Sequence, residues 1–80
     1  MILNLYSVRD LNSGFNQPWC DKNDECAIRG FSYSMNNNDI MGFAPADFQL
    51  FLVGTFDSDR GDVTHVIPEL IVRGEEVVGH

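Results

Sequence analysis

Four side chains in this sequence are of the kinds that ligate zinc: Cys20, Cys26, His65 and His80. Structural zinc sites draw on closely spaced ligand pairs. Here five residues separate the two cysteines and the histidines are isolated, so the spacing predicts no metal site. Two cysteines are also too few for a disulfide framework, and they read as reduced thiols.

The run Asp57-Ser58-Asp59-Arg60-Gly61-Asp62 superficially suggests a calcium loop. Such a loop needs glycine at its sixth position and a bidentate glutamate at its twelfth. Glycine falls at the fifth position and Pro68 at the twelfth, so the run reads as a solvated hairpin tip. Arg60-Gly61-Asp62 also spells an adhesion tripeptide, a chance match in a protein with no export signal. Nucleophilic catalysis needs a Ser, Thr or Cys beside a base and an orienting third group, and no motif assembles them. The glycines occur singly, so no phosphate-cradling loop is present. The expectation is a non-enzyme without a cofactor.

Binding chemistry remains. Single-stranded nucleic acid is held by exposed aromatic rings that stack on bases and by cations that track the phosphates. Tyr6 lies near Arg9, and Arg29 lies near Phe31 and Tyr33; Arg60 and Arg73 complete the candidate set. The competing reading is that Tyr6 and Phe31 are core residues and that five dispersed cations are a thin electrostatic footprint.

These residues need elements to hold them. Residues 2–8 read as a strand with Leu3 and Leu5 on one face and Ile2, Tyr6 and Val8 on the other. Residues 9–22 read as a loop anchored by Phe15 and Trp19. Asp21 or Asn23 then caps a helix, with Asp24 and Glu25 in the first turn where the helix dipole favours negative charge. Ala27, Ile28, Phe31 and Met35 recur at helical spacing as one apolar stripe. Gly30 weakens that helix, and Asn36-Asn37-Asn38 stops it.

Residues 39–47 read as a connection containing Gly42 and Pro45. Residues 48–56 form the clearest strand. Phe48, Leu50, Leu52 and Phe56 are expected on one face, Phe51 and Val53 on the other. After the hairpin tip, where Gly61 supplies positive φ, residues 63–67 return as the partner strand. Pro68 ends that strand or confines it to a sheet edge. The tail from Glu69 reads as a short strand or a helical turn, which periodicity does not separate.

The element order β-α-β-β predicts an α+β fold, a small antiparallel sheet with one helix on one face. Eighty residues fit a single domain, 1–80, and 44% hydrophobic residues suffice for a modest core. Two strands carry apolar groups on both faces, and one helix covers only one. The second face is therefore expected to meet another copy, as a dimer or higher homo-oligomer, or a partner protein; Ile2, Tyr6, Val8, Phe51 and Val53 are the candidate interface residues. Twelve acidic residues against five basic ones give a net charge of −7. That disfavours tight wrapping of nucleic acid and favours a partner with a basic surface. No apolar run approaches membrane-spanning length and the N-terminus lacks a secretory pattern, so the protein is expected to avoid membranes and stay in the cell that makes it.

The order of residues adds a resemblance. Leu5-Tyr6-Ser7-Val8-Arg9-Asp10 opens the chain, followed by Pro18-Trp19, Asn23-Asp24, Ala27-Ile28-Arg29 and Phe31. Pro45-Ala46-Asp47-Phe48-Gln49-Leu50 leads into Val53-Gly54-Thr55-Phe56-Asp57, with Gly61, Pro68-Glu69 and Gly74 beyond. This pattern resembles the small nonstructural protein of gokushovirus-type microviruses, single-stranded DNA phages, over about residues 3–78. In that family the protein is regarded as the counterpart of the phiX-type C protein. The resemblance implies an accessory of viral single-stranded DNA synthesis and packaging in the host cytoplasm. Its partners would be the phage replication initiator, a capsid protein or a host replication protein, with single-stranded DNA as an alternative. It carries no defined catalytic or ligand set, and Cys20, Cys26 and His80 fall outside it.

Overall fold

The computed structural model describes residues 1–78; His80, weighed above as a metal ligand, lies outside them. The described chain runs β1 (Ile2–Asp10), β2 (Gly14–Phe15), β3 (Trp19–Asp21), α1 (Asp24–Asn37), α2 (Asp39–Phe43), β4 (Phe48–Asp57) and β5 (Asp62–Arg73). Short 3-10 turns occupy Pro45–Asp47 and Gly74–Glu76. It is an α+β fold: an antiparallel sheet with one main helix, as expected. The strand order is β2-β1-β4-β5, with β3 also paired to β1.

The element order differs from β-α-β-β at three places. The expected loop 9–22 contributes β2 and β3, which hydrogen-bond along the edge of β1 not used by β4. Residues 39–47 are largely helical, because the Asn38 side chain accepts from Ile40 N and Met41 N, both at 3.0 Å, and starts a new turn. Beyond the hairpin, β5 runs through Pro68 to Arg73. It is an edge strand, and Pro68 sits where the pairing with β4 lapses between His65 and Glu69. The tail realises both forms left open: Glu69–Arg73 is strand and Gly74–Glu76 a helical turn.

Local chemistry explains the elements that held. Asn23 caps α1, its side chain accepting from Cys26 N at 2.9 Å, with Asp24 and Glu25 in the first turn. Asp57 Oδ1 accepts from Asp59 N at 2.9 Å and Gly61 takes φ +75°, which together close the β4–β5 turn.

The apolar stripe of α1 lands on one face of the sheet. Tyr6, Ala27, Phe31, Met35, Phe48 and Leu50 form the buried core, with Val8, Trp19, Leu52 and Val72 packed against it. Gly74 permits the closest approach, since a Cβ there would stand 2.4 Å from the Pro45 carbonyl oxygen and 2.7 Å from Met35 Cε.

One irregularity reorganises the faces. Leu5 pairs with Gly54 while Tyr6 pairs with Leu52, so Val53 is an extra residue in β4. A bulge of this kind resets the alternation of side chains beyond it. Phe56 therefore leaves the side of Leu50 and Leu52, where simple alternation put it, and joins Phe51 on the opposite face.

Candidate functional site

Cross-strand partners point to the same side of a sheet. On the side away from α1, Arg9, Gln49 and Arg73 form one row, and Ser7, Phe51 and Leu70 form the next. Leu5, Gly54 and His65 follow, then Leu3, Phe56 and Val63. Phe15, opposite Arg9, adds an aromatic ring at the border. Among the described residues the main helix α1 lies on the other side of the sheet.

Beyond the polar Arg9-Gln49-Arg73 row the face is largely apolar, interrupted by Ser7 and His65. The helix side behaves differently. Beyond the core, the projecting end of the sheet carries Asn4, Thr55 and Thr64, then Ile2, Asp57 and Asp62, on the helix side. That end thus sets mostly polar residues on one face against Leu3, Phe56 and Val63 on the other.

Charge is segregated in the same way. Asp10, Asp21, Asp57, Asp62 and Glu69 all fall on the helix side by register. Among the described strand residues the second face holds no carboxylate, although the chain carries −7 overall. Its fixed charges are Arg9 and Arg73. The Arg9 guanidinium lies 5.8 Å from the centre of the Phe15 ring, a cation–π distance, and Phe15 meets Phe51 edge-on at 5.3 Å. Ser7 is buried here, and its hydroxyl is satisfied by donating to the Asn16 carbonyl at 2.7 Å, which ties the loop before β3 to β1.

The helix side holds the acidic counterpart. Asn4, Asn23, Asp24 and Glu25 line an open hollow at the start of α1. Tyr6 bonds two of these lining residues. The hydroxyl donates to Asp24 Oδ1 at 2.6 Å and accepts from Asn4 Nδ2 at 3.0 Å. Burial of the phenol, reinforced by that bond to Asp24, pushes its pKa up to about 12. A second hollow of about 260 Å³, more apolar, lies between β1, β3 and α1 and is lined by Val8, Trp19, Gly30, Phe31 and Ser34.

The residues picked out by sequence are distributed over these surfaces. Tyr6 was a candidate for both nucleic-acid stacking and the oligomer interface, but it is fully buried. The α1 stripe covers its ring and Asp24 takes its hydroxyl. Val8 shares that helix-side packing, and Ile2, 62% exposed, shares its parity at the far end. Of the five candidate interface residues only Phe51 projects from the uncovered face by register; Val53 is the bulge. The β1 residues on that face are Leu3 and Leu5. Arg9 and Arg73 are brought together on one row. Arg29 and Tyr33 are exposed on α1, and Arg60 pairs with Asp62 at 3.3 Å on the hairpin tip.

Phe15, Phe56 and Leu70 were not among the sequence candidates. Phe15 lies in a stretch whose composition reads as a loop, and simple alternation puts Phe56 on the helix side because it takes no account of the Val53 bulge. Cys20, Cys26 and His65 lie apart on β3, α1 and β5, and the described residues contain no cluster of three or more metal-ligating side chains. No described helix is long and apolar enough to cross a membrane.

Comparison with known proteins then supplies a family. The sequence model of a family described as Phage ORF5 protein matches residues 3–77. No curated protein and no solved structure matches the chain.

Proposed function

The chain belongs to the Phage ORF5 protein family, and from that premise we propose that it is a nonstructural accessory of viral single-stranded DNA synthesis and packaging. It works by binding, without catalysis, in the host cytoplasm. The resemblance to the gokushovirus nonstructural protein, the counterpart of the phiX-type C protein, supports the role. The observation that carries the binding mode is the segregation of charge. Asp21, Asp24 and Glu25 gather beside the acidic hollow at the start of α1, and every strand carboxylate shares that side of the sheet.

Such a surface docks on a basic one, and the family resemblance points to the replication initiator, a capsid protein or a host replication protein as its bearer. Affinity capture from infected cells tests this. Wild-type protein should recover the initiator or a capsid protein, and Glu25→Lys with Asp21→Lys should lose most of it. Recovery of no replication or capsid protein would sink the reading.

A second reading has its own observation, the Arg9–Phe15 stack with Arg73 in the same row. A cation beside an aromatic ring is the unit that holds one strand of DNA. Titration of a labelled single-stranded oligonucleotide at about 50 mM salt, where electrostatic affinity is strong, decides it. Binding should weaken with added salt and with Arg9→Ala; no binding at that salt removes this reading.

A further inference from the structure

We propose that Pro68 and the two bulges of β5 guard the long edge of the sheet, so that no further strand adds to it. The inference is independent of the proposed function.

A sheet edge presents backbone N–H and C=O groups with which a strand of another chain can pair. The two edges of this sheet differ in how much they offer. On one side β1 is bordered by β2 and β3, of two and three residues. Strands this short blunt an edge by themselves. On the other side β5 runs for 12 residues, and among the described residues only β4 pairs with it. A usual strand is about 5–6 residues, so this is the edge that needs protection.

The composition of β5 raises that need. Val63-Thr64-His65-Val66-Ile67 and Leu70-Ile71-Val72 are rich in β-branched residues and contain no Asp, Glu, Lys or Arg. Val63 is 66% exposed and Ile67 86% exposed. Segments of about six such residues without proline are the ones that stack into cross-β assemblies. Pro68 cuts the first run short of that length, and Pro68-Glu69 separates it from the second.

The geometry interrupts the edge at the same place. Leu52 pairs with Glu69 and Gly54 with His65, so Val66, Ile67 and Pro68 stand against Val53 alone. Leu50 pairs with Val72 and Phe51 with Leu70, which leaves Ile71 as a second extra residue. Bulges bend and twist the strand that carries them. The longest regular stretch of β5 is therefore Asp62–His65. Pro68 also lacks a donor and fixes φ at about −65°, far from the roughly −140° of an antiparallel strand.

Two simpler accounts of the proline fail. It is exposed and outside the core cluster, so packing does not require it. Nor does it end the strand, since β5 resumes its pairing with β4 at Glu69 and continues to Arg73.

Light scattering and thioflavin fluorescence followed over time, on wild type and variants at equal concentration, test the proposal. Pro68→Val extends the first run to about six residues and restores a donor. It should fold with unchanged circular dichroism and assemble at least about tenfold faster than wild type. Pro68→Lys also removes the ring but sets a charge on the edge, and should stay as soluble as wild type. Deuterium exchange of the Pro68→Val assemblies should show new protection of amides between Val63 and Val72. Assembly of Pro68→Val no faster than wild type overturns the proposal. So does equal assembly of Pro68→Lys, or new protection confined to other segments. A Pro68→Val chain that fails to fold overturns it too, because the proline would then hold the fold and not guard its edge.

Discussion

The Tyr6 hydroxyl donates a hydrogen bond of 2.6 Å to Asp24. This joins the middle of β1 to the first turn of α1 across 18 residues, and a fully buried ring stands behind it. Helix and sheet are thus keyed together by one polar contact at the rim of the core. The same contact places a carboxylate at the helix N-terminus, where the dipole favours it.

That contact predicts a pH response. The folded-state pKa of Tyr6, about 12, lies above its ordinary value of 10.0. A group raised in this way contributes its stability fully below the unfolded value and loses it as pH climbs through the folded one. Stability should therefore fall between about pH 10 and 12 through this residue, measured by urea unfolding at stepped pH. Tyr6→Phe should cost about 1–2 kcal/mol at neutral pH and flatten that alkaline decline. An equally steep decline in Tyr6→Phe would refute the assignment.

The core should respond sharply to truncation of the α1 stripe. Phe31 is 1% exposed, and Phe31→Ala should cost about 3–5 kcal/mol, enough to unfold much of a domain this small. Phe43 is 90% exposed, and Phe43→Ala should change stability by no more than about 0.5 kcal/mol. Thermal melts of the two variants side by side make the comparison.

Gly74 should tolerate no side chain. Its Cβ would meet two backbone carbonyls, Pro45 O at 2.4 Å and Phe48 O at 3.0 Å, neither of which can swing away as a side chain does. Gly74→Ala should destabilise by about 1–3 kcal/mol, whereas Ala at Gly30, where nothing lies within 4 Å and a helix favours alanine, should stabilise by up to about 1 kcal/mol. Chemical denaturation midpoints will show the contrast or its absence.

The cap at Asn23 should contribute on its own. Asn23→Ala removes the acceptor of Cys26 N and should cost about 1 kcal/mol, whereas Asn23→Asp should retain it. Equal losses in both variants would mean that the side-chain oxygen is not what stabilises the turn.

Much of the fold could be read from local chemistry. The Asn23 cap, the stripe Ala27–Phe31–Met35, the hairpin at Gly61 and the parity of β1 depend on neighbours in sequence, and each is where the residues alone put it. So is the conclusion that the sheet has two apolar faces. What the alternation of Leu3 and Leu5 against Tyr6 and Val8 left open was which set meets the helix, because both sets are apolar. Tertiary structure decided it. Tyr6 is the member with a hydroxyl to satisfy, and only the helix side offers Asp24 and Asn4. The Val53 bulge is equally a product of three dimensions, since an unpaired residue exists only relative to a partner strand, and it alone carries Phe56 to the second face. The sequence by itself determined which residues travel together; the packing of one helix against one side determined which face was left uncovered.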